Sequence, residues 1–424
     1  MEKDILYLIV YSIIWMLSLI YWWKKDGIKN TGVLLIAFYA IISILAIHLY
    51  SENPYGELHP WFNISLYALL YLFFFIYIFC TLLLKPSKAK ILIDIPNKYL
   101  VPLYIFVIIF SLLDIVPTIK NFRTGLFLMM MDSQYGNILY QESTLEGVHT
   151  AQVRGAISFI GVFSNFARNL APVMLLYSLA NKNSNKYIVF GLLLATFTTY
   201  MTAISLGLRS IIVQNLLTFI FLFSFLYKFY SVKVKKIIIP VLSTMMGIII
   251  LGGALITSSR VDALDTDAST FVESYASQSV LYFGCYGFDN GNQIRNGDRT
   301  FPLIKSFFSD DVARSTFDRR QKYQSMYINE SVFTTFVGDF VFDFGIIGGA
   351  CVMLSMYFLF KILLSKISHH IHFHDILIVY LLIYMLCGFY LYPLSDFVGN
   401  IMLIGILIIS CFYRSIVHEQ KIYK

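Results

Sequence analysis

The sequence predicts an all-α polytopic membrane protein with about eleven transmembrane helices. Of its 424 residues, 58% are hydrophobic and only 13% are charged, which leaves too little polar surface to cover a soluble globule. Apolar runs recur at a length of roughly 20 residues, which matches a hydrocarbon thickness of about 30 Å at a helical rise of 1.5 Å per residue. We therefore expect residues 1–424 to form a single integral membrane domain.

Each apolar run is interpreted as one helical span. The expected spans are residues 5–23, 31–50, 61–84, 100–117, 157–180, 188–206, 211–229, 237–256, 336–360, 376–391 and 396–413. Two long connections lie on the same side, residues 118–156 and 257–335. Loops of that length are commonly functional, whereas the connections on the other side are short.

The distribution of charge predicts the orientation. With the N-terminus outside and the C-terminus in the cytoplasm, the cytoplasmic side carries 18 Lys and Arg and 4 acids. The other side carries 14 Lys and Arg and 21 acids, so the two sides together account for all 32 cations and all 25 acids. This is the excess of cytoplasmic cations that membrane proteins show. The net charge of +7 then reflects topology and gives no reason to expect a nucleic-acid partner.

Arginine and lysine are segregated. Most lysines lie on the cytoplasmic side, but ten of eleven arginines lie on or near the outer side: Arg123, Arg154, Arg168, Arg209, Arg260, Arg295, Arg299, Arg314, Arg319 and Arg320. Because arginine grips phosphate or carboxylate through a fixed planar fork, this pattern indicates an outer face that binds an anion. The alternative is that the arginines pair with the acids on that side, as "SDDVARSTFDRR" suggests.

Two of these arginines are expected within or at the end of a span. Arg168 lies about 16 Å below the outer end of its span by helical rise, where a charge needs a partner or a wet cavity. Asn165, Asn169 and Pro172 nearby favour such a cavity. Arg209 caps a short outer turn, where extension of the side chain to the interface is an equally good explanation.

A stripe of polar residues leads into the span 336–360. Ser331, Thr335, Asp339 and Asp343 recur at intervals of four, which places them on one face of a helix. Asp343 is expected just inside the hydrocarbon boundary, as the structural partner of a buried arginine such as Arg168. Glu330 and Asp339 lie nearer water and are candidate proton acceptors.

Below this stripe, Gly345 and Gly349 form a G-x-x-x-G pattern. Such a pattern predicts the close approach of a neighbouring helix.

The loop 257–335 is rich in aromatic residues: Tyr275, Tyr282, Phe283, Tyr286 and Phe288. They are candidates either for stacking on sugar rings or for packing the loop onto the membrane surface.

Several chemistries lack their usual signatures. The five cysteines form no disulfide framework and no C-x-x-C metal site, and the histidines of "SHHIHFHD" are interpreted as a chance cluster. There is neither a Walker loop nor a G-x-S-x-G motif. We expect no cofactor and no metal.

The turn "SLGLRS", the loop stretch "VLYFGCYGFDNGNQ" and the segment "NESVFTTFVGDFVFDFGIIGG" at the next span resemble the Wzy-type oligosaccharide repeat-unit polymerases. The number of spans and the large late loop agree with that family. The resemblance implies a GT-C-like fold in the bacterial inner membrane, with both long loops periplasmic. It implies a glycosyltransferase that moves a glycan from undecaprenyl pyrophosphate onto a lipid-linked repeat unit for O-antigen or capsule.

That chemistry suits the residue types. Fixed arginines stabilise the charge that develops on a departing pyrophosphate without a metal. A carboxylate or His149 accepts the proton of the acceptor hydroxyl. The candidate catalytic residues are Glu330, Asp339 and His149. The candidate binding residues are Arg154, Arg168, Arg209, Arg260, Arg295, Arg299, Tyr282 and Asp343.

The expected partners are the lipid-linked oligosaccharide and membrane lipid, with a chain-length regulator protein left open. An O-antigen-ligase-like enzyme shares the layout and the pyrophosphate chemistry and differs only in the acceptor. A lipid-linked oligosaccharide flippase is the alternative from another class, although such a transporter is expected to show internal repeats. A purely structural or signalling membrane protein is the third alternative, which explains the hydropathy but not the concentration of arginine.

Overall fold

The computed structural model describes residues 2–52, 61–113, 115–131, 159–181, 185–264, 268–291, 293–328, 332, 334–367 and 369–422. It is 78% helical with almost no sheet. This confirms an all-α polytopic membrane protein.

The helices and strands follow the order of the chain. They are α1 (Glu2–Asp26), α2 (Thr31–Glu52), α3 (Leu66–Leu82), β1 (Ile91–Ile93), α4 (Asn97–Leu112), α5 (Ile115–Met131), α6 (Phe159–Ala180), α7 (Lys186–Ser205), α8 (Arg209–Leu226), α9 (Val232–Leu264), α10 (Ala268–Tyr286), α11 (Pro302–Lys305), α12 (Thr316–Lys322), α13 (Thr335–Leu364), β2 (His370–His372), α14 (Phe373–Leu386) and α15 (Asp396–Ile422).

Every expected span contains a helix, although not all of these helices qualify as spans by themselves. Among the described residues, eight helices are long and apolar enough to cross a membrane, and α4 with α5 makes a ninth if that pair, bent by 47°, is one span. The expected spans 157–180 and 376–391 correspond to α6 and α14, which lie outside that set. The expected loop 257–335 is partly helical, because α9 continues to Leu264 and α10 follows it.

The chain divides into two compact units. The first comprises residues 1–89, 269–369 and 381–403, and the second comprises residues 90–268, 370–380 and 404–424.

In the first unit, aromatic side chains pack the helices α1, α2 and α3 together. The Trp15 ring stacks on Tyr39 with centroids 5.5 Å apart and meets Phe73 edge-on at 4.9 Å. The Tyr39 hydroxyl donates to the carbonyl of Leu386 at 2.6 Å. Because the buried hydroxyl of Tyr39 has a hydrogen-bond partner, the aromatic ring can be buried in the core.

Polar contacts at the helix ends show which connections of this unit lie at the same end. At one end, Asp4 accepts hydrogen bonds from the Tyr50 hydroxyl and the Ile64 amide. The Ser65 amide donates to the Gly284 carbonyl at the same end. These contacts join the N-terminal residues with the connection after α2 and with the long loop.

At the other end of the unit, the Lys88 ammonium lies 2.7 Å from an Asp26 carboxylate oxygen. The Asn30 side chain donates to the Leu84 carbonyl, and the Lys85 ammonium donates to the Ser365 carbonyl. The lysine-rich connections therefore lie together, as the charge distribution requires.

In the second unit, β1 and β2 form a two-stranded parallel pair in which Ile91 is opposite His370. The Tyr380 hydroxyl donates to the Asn169 carbonyl of α6 at 2.6 Å, and the Tyr413 hydroxyl donates to the Tyr99 carbonyl of α4 at 2.7 Å. Tyrosine hydroxyls thus join the helices of this unit as well.

Helix α13 is broken at Gly345, whose backbone has φ 73° and ψ 175°. A Cβ built on Gly349 would lie 3.0 Å from the Phe340 carbonyl oxygen, although nine residues of straight helix would separate the two by about 13 Å. The chain therefore turns sharply here. The expectation that Gly345 and Gly349 admit a neighbouring helix is wrong at this point, because the close contact of Gly349 is with its own chain before the break.

The break also changes where the acids lie. Residues 346–364 alone give a helix of about 28 Å, which is enough to cross a bilayer. Asp339 and Asp343 belong to the separate segment 335–344. The acids therefore do not have to be carried into the apolar span.

Gly345→Ala should lower the stability of the protein, because a φ of 73° with an extended ψ is open essentially to glycine alone. We expect a loss of about 1 kcal/mol or more. The measurement is the midpoint of thermal unfolding in detergent. Gly247→Ala in α9 is the matched control, because its added Cβ meets nothing within 4 Å. Equal midpoints for the two variants would contradict a structural break at Gly345.

Candidate functional site

The candidate site is built on the segment 335–344 and on the loop that covers it. The first amides of α13 are satisfied from outside the helix, because Thr334 and Thr335 donate to the Tyr390 carbonyl and Phe336 donates to that of Gly388. At the other end of the segment, the Arg295 amide donates to the Phe342 carbonyl at 2.9 Å. Loop backbone thus replaces the helical hydrogen bonds that are lost at both ends.

Two buried carboxylates hold two buried arginines in this segment. Arg295 Nε lies 2.6 Å from Asp343 Oδ1, and Arg295 Nη2 lies 3.2 Å from Asp339 Oδ1. Arg299 Nε lies 3.0 Å from the same Asp339 oxygen. The exposed fractions are 0% for Asp343, 1% for Asp339, 3% for Arg295 and 8% for Arg299.

The remaining carboxylate oxygens are also engaged. Asp343 Oδ2 accepts from the Thr300 amide and hydroxyl, both at 2.7 Å. Asp339 Oδ2 accepts from the Tyr392 amide at 2.7 Å. Desolvation of such charges is offset only when every lone pair has a partner. This geometry favours a structural role for Asp339 over that of a proton acceptor.

A third buried carboxylate, Asp298, binds the side chains of the next part of the loop. It is fully buried and binds the ammonium groups of Lys305 at 2.5 Å and Lys322 at 3.0 Å. The hydroxyl of Tyr323 donates to it as well. Burial by itself raises the pKa of Asp298, but the hydrogen bonds from the two lysines and Tyr323 outweigh burial and hold that pKa below 3.8.

Arginines converge on a small cleft above this layer. Its cavity volume is about 20 Å³, which is room for about one water molecule. The cleft is lined by Arg295, Arg299, Arg319, Arg320, Tyr323, Met326, Ile328, Val332, Thr334, Asp339 and Phe342. Among the described lining residues, four are arginines and one is an acid, so the lining carries an excess of positive charge.

The four arginines are not equivalent. Arg295 and Arg299 are held by Asp339 and Asp343, and Arg319 Nη1 lies 2.8 Å from Asp396 Oδ1. Arg320 makes no hydrogen bond or ion pair within the described part of the chain, and its Nε is buried without a partner. Of the four, it is the arginine whose guanidinium no described residue engages.

Strained backbone surrounds this cluster. The described non-glycine residues with positive φ are Asn63, Asn296, Thr335 and Asp396. Asn296 follows Arg295, Thr335 begins the segment that carries the acids, and Asp396 pairs with Arg319. For a β-branched residue such as Thr335, a φ of 70° costs on the order of 1–3 kcal/mol. Strain that persists at such a cost is typical of functional sites.

The structure brings together Arg295, Arg299, Asp339 and Asp343 of the sequence-based candidates. Asp343 pairs with an arginine, as expected, but that arginine is Arg295 of the loop. Tyr282 is only 3% exposed and meets Trp61 edge-on at 5.7 Å, so a sugar ring has no face of Tyr282 to stack on. The prediction that Tyr282 binds substrate is therefore wrong, because its ring packs inside the protein.

Other candidates lie elsewhere or outside the described residues. Arg168 is buried in α6 of the second unit, where the Thr199 hydroxyl donates to its carbonyl. Arg209 begins α8 and Arg260 lies in α9, but their side chains are outside the described residues. Glu330, His149 and Arg154 lie wholly outside them.

Sequence reasoning missed the roles of Asp298, Tyr323 and the individual arginines of "FDRR". The alternative suggested by "SDDVARSTFDRR" was that its arginines pair with acids on the same side, and Arg319 does pair with an acid, but this acid is Asp396, 77 residues further along the chain. No pattern in the sequence around Arg319 identifies Asp396 as its partner. Among the described residues, no group of three or more His, Cys, Asp or Glu side chains is placed to hold a metal ion.

No family model, no curated protein and no solved structure matches this chain.

Asp298→Asn should destabilise the protein by about 2 kcal/mol at neutral pH, because two ammonium groups and a buried tyrosine lose their common acceptor. The pKa of Asp298 is lowered in the folded state, so its contribution is present above pH 3.8 and is lost as the pH falls through the lower folded value. The difference in thermal midpoint between wild type and variant should therefore shrink in acid. Asp310→Asn, at an exposed position of the same loop, should leave the midpoint unchanged. A constant difference down to the lowest pH tested would contradict this role.

Proposed function

We propose that this protein is a glycosyltransferase of the bacterial inner membrane that polymerises lipid-linked oligosaccharide repeat units. The donor is a glycan on undecaprenyl pyrophosphate, and the acceptor is the sugar of a newly arrived repeat unit. The proposed products are chains of O-antigen or capsule. The observation that carries the proposal is the cleft lined by Arg295, Arg299, Arg319 and Arg320.

Arginine-lined clefts suit phosphoryl groups for a physical reason. Each guanidinium presents parallel N–H donors to two oxygens of one phosphate, and its charge persists at any physiological pH. When the bond to the sugar breaks, negative charge grows on the departing pyrophosphate. Donors that are already oriented stabilise that charge without reorganising. The buried carboxylates supply this orientation, because they hold Arg295 and Arg299 in place before a ligand arrives.

The cleft as observed is closed. A volume of about 20 Å³ accommodates a water molecule but not a pyrophosphate. Binding of the donor therefore requires lining residues other than the paired Arg295 and Arg299 to move outward. Met326 is the most adaptable apolar residue of the lining, because its side chain is unbranched.

The proposed topology follows from charge and from the contacts of the first unit. The lysine-rich connections lie at one end and the arginine cleft belongs to the loop that joins the other end, so we assign the lysine end to the cytoplasm and the cleft to the periplasm. The N-terminus is then periplasmic and the C-terminus cytoplasmic. A chain-length regulator and membrane lipid remain proposed partners, and the proposed fold is GT-C-like.

The decisive experiment supplies purified protein in detergent or liposomes with synthetic undecaprenyl-pyrophosphate repeat units alone. We expect a ladder of longer lipid-linked glycans without nucleotide and in the presence of EDTA, because the donor bond supplies the free energy and arginine supplies the positive charge. Chain length is measured by gel electrophoresis or mass spectrometry.

The alternatives give different outcomes in the same assay. An O-antigen-ligase-like enzyme leaves the repeat units unchanged until lipid A core is added. A flippase moves the repeat units across the liposome membrane without lengthening them. With a verified native repeat unit and folded protein, either outcome would overturn the polymerase proposal.

Arg320→Gln should raise the KM for the lipid donor about tenfold or more and weaken inhibition by inorganic pyrophosphate, because one charge-assisted contact is worth roughly 1.5–3 kcal/mol. Arg320→Lys should recover only part of this loss, since the ammonium lacks the planar fork. The control is Arg314→Gln, because Arg314 lies over the Phe397 ring and is not a lining residue of the cleft. Unchanged KM and unchanged inhibition in Arg320→Gln would remove this residue from the proposed anion site.

A further inference from the structure

A histidine and two glutamates form an exposed cluster in the first unit. His48 Nδ1 lies 2.7 Å from Glu273 Oε2, and His48 Nε2 lies 4.0 Å from Glu52 Oε1. The His48 side chain is 59% exposed and Glu273 is 25% exposed. His48 and Glu52 are one turn apart on α2, whereas Glu273 comes from α10.

This geometry selects one form of the imidazole ring. In the neutral ring, Nδ1–H donates to the Glu273 carboxylate, so the lone pair of Nε2 points away from that pair. Glu52 is too distant to hydrogen-bond to Nε2. A carboxylate that orients a histidine whose other nitrogen is accessible is the usual arrangement of a general base.

The cluster belongs to the same end of the first unit as the arginine cleft. His48 precedes Tyr50, which donates to Asp4 at that end. Two residues beyond Glu273, the Tyr275 ring lies 5.6 Å from the ring of Tyr390. The Tyr390 carbonyl accepts from the amide of Thr334, a lining residue of the cleft.

The proposed reaction needs a proton acceptor, and none of the described residues that line the cleft provides one. Both oxygens of Asp339 and of Asp343 are occupied by arginine, threonine or amide donors. Asp298 is held by two lysines and Tyr323, and Asp396 is paired with Arg319. Among the described residues at this end, His48 has a basic nitrogen that is both oriented and accessible.

We propose that His48 is the general base for the acceptor sugar, with Glu273 as its positioning residue. This inference depends on the proposed glycosyl transfer. Nε2 takes the proton of the acceptor hydroxyl while the oxygen of that hydroxyl forms a bond to the anomeric carbon of the donor. The bond from that carbon to the pyrophosphate oxygen breaks, and its electron pair leaves with the pyrophosphate in the arginine cleft. The imidazolium then passes its proton to water.

The test uses the full chain in the ladder assay with synthetic lipid pyrophosphate repeat units. His48→Asn keeps a donor near the position of Nδ1, so it preserves the contact with Glu273, but it has no basic nitrogen. We expect its kcat to fall by about 10²–10⁴-fold with little change in the KM for the donor. In His48→Gly, added imidazole should restore a measurable part of the rate.

Two glutamate variants separate positioning from charge. Glu273→Gln should lower kcat by about tenfold or more, because the ring is no longer oriented by a carboxylate. Glu52→Gln should change kcat less than about threefold, since Glu52 makes only a 4.0 Å contact between exposed side chains. Thermal midpoints report whether each variant is folded.

The possible outcomes separate a failure of the proposed role of His48 from a failure of the proposed polymerase function. A wild-type ladder with near-normal kcat in His48→Asn would overturn the role of His48 and leave the polymerase proposal standing. A lowered thermal midpoint in His48→Gly, with a rate that imidazole does not restore, would assign His48 to joining α2 and α10 and would also overturn its role as base. Absence of a ladder from wild type with a verified repeat unit would instead overturn the proposed function.

Discussion

The ion pairs between Asp339, Asp343 and the loop arginines are the interaction on which the candidate site depends. Taking each of these charges out of water costs several kcal/mol, and the cost is offset only by close and complete pairing. The observed distances of 2.6–3.2 Å between Arg295, Arg299 and the carboxylates meet that condition. The loop therefore cannot leave the segment 335–344 without exposing unpaired charges on both sides.

The break at Gly345 makes this pairing compatible with a membrane. A continuous helix would carry Asp343 into the hydrocarbon layer, where a charge costs about 2.5 kcal/mol or more. Since the chain turns at Gly345, residues 346–364 supply the apolar length by themselves. The Phe342 carbonyl released by the break is used by the Arg295 amide. The same turn thus separates the acids from the apolar span and attaches the loop to them.

The proposed division of labour follows from burial. Charges that bind and stabilise a pyrophosphate act best where water is excluded and where their positions are fixed in advance. A proton acceptor needs the opposite condition, because it must exchange its proton with water in each cycle. The buried arginine cleft and the exposed cluster of His48 and Glu273 satisfy these two needs in different parts of the same unit.

The sequence alone determined the class of the protein and the approximate positions of its helices. The mean hydropathy of a stretch depends only on residues that are close in sequence. It therefore located the apolar stretches, and each expected span contains a helix. The spacing of Thr335, Asp339 and Asp343 also predicted one polar helix face, because helical periodicity depends only on neighbours along the chain. It did not predict that Asp339 is buried, since Asp339 was expected nearer water. For Arg295, Arg299 and Arg319 the structure shows the alternative that the sequence left open, which is pairing with acids. Anion binding by the segregated arginines stays a prediction.

Only the tertiary structure decided which charges meet. Arg319 pairs with Asp396, and His48 with Glu273, across 77 and 225 residues of chain, and no pattern in either segment predicts its partner. The sequence likewise predicted a helix contact at Gly345, where the structure has a break. Glycine is compatible with both outcomes. In the structure the break at Gly345 occurs together with the contacts of the Arg295 loop, whose amide donates to the Phe342 carbonyl and whose guanidinium pairs with Asp339 and Asp343.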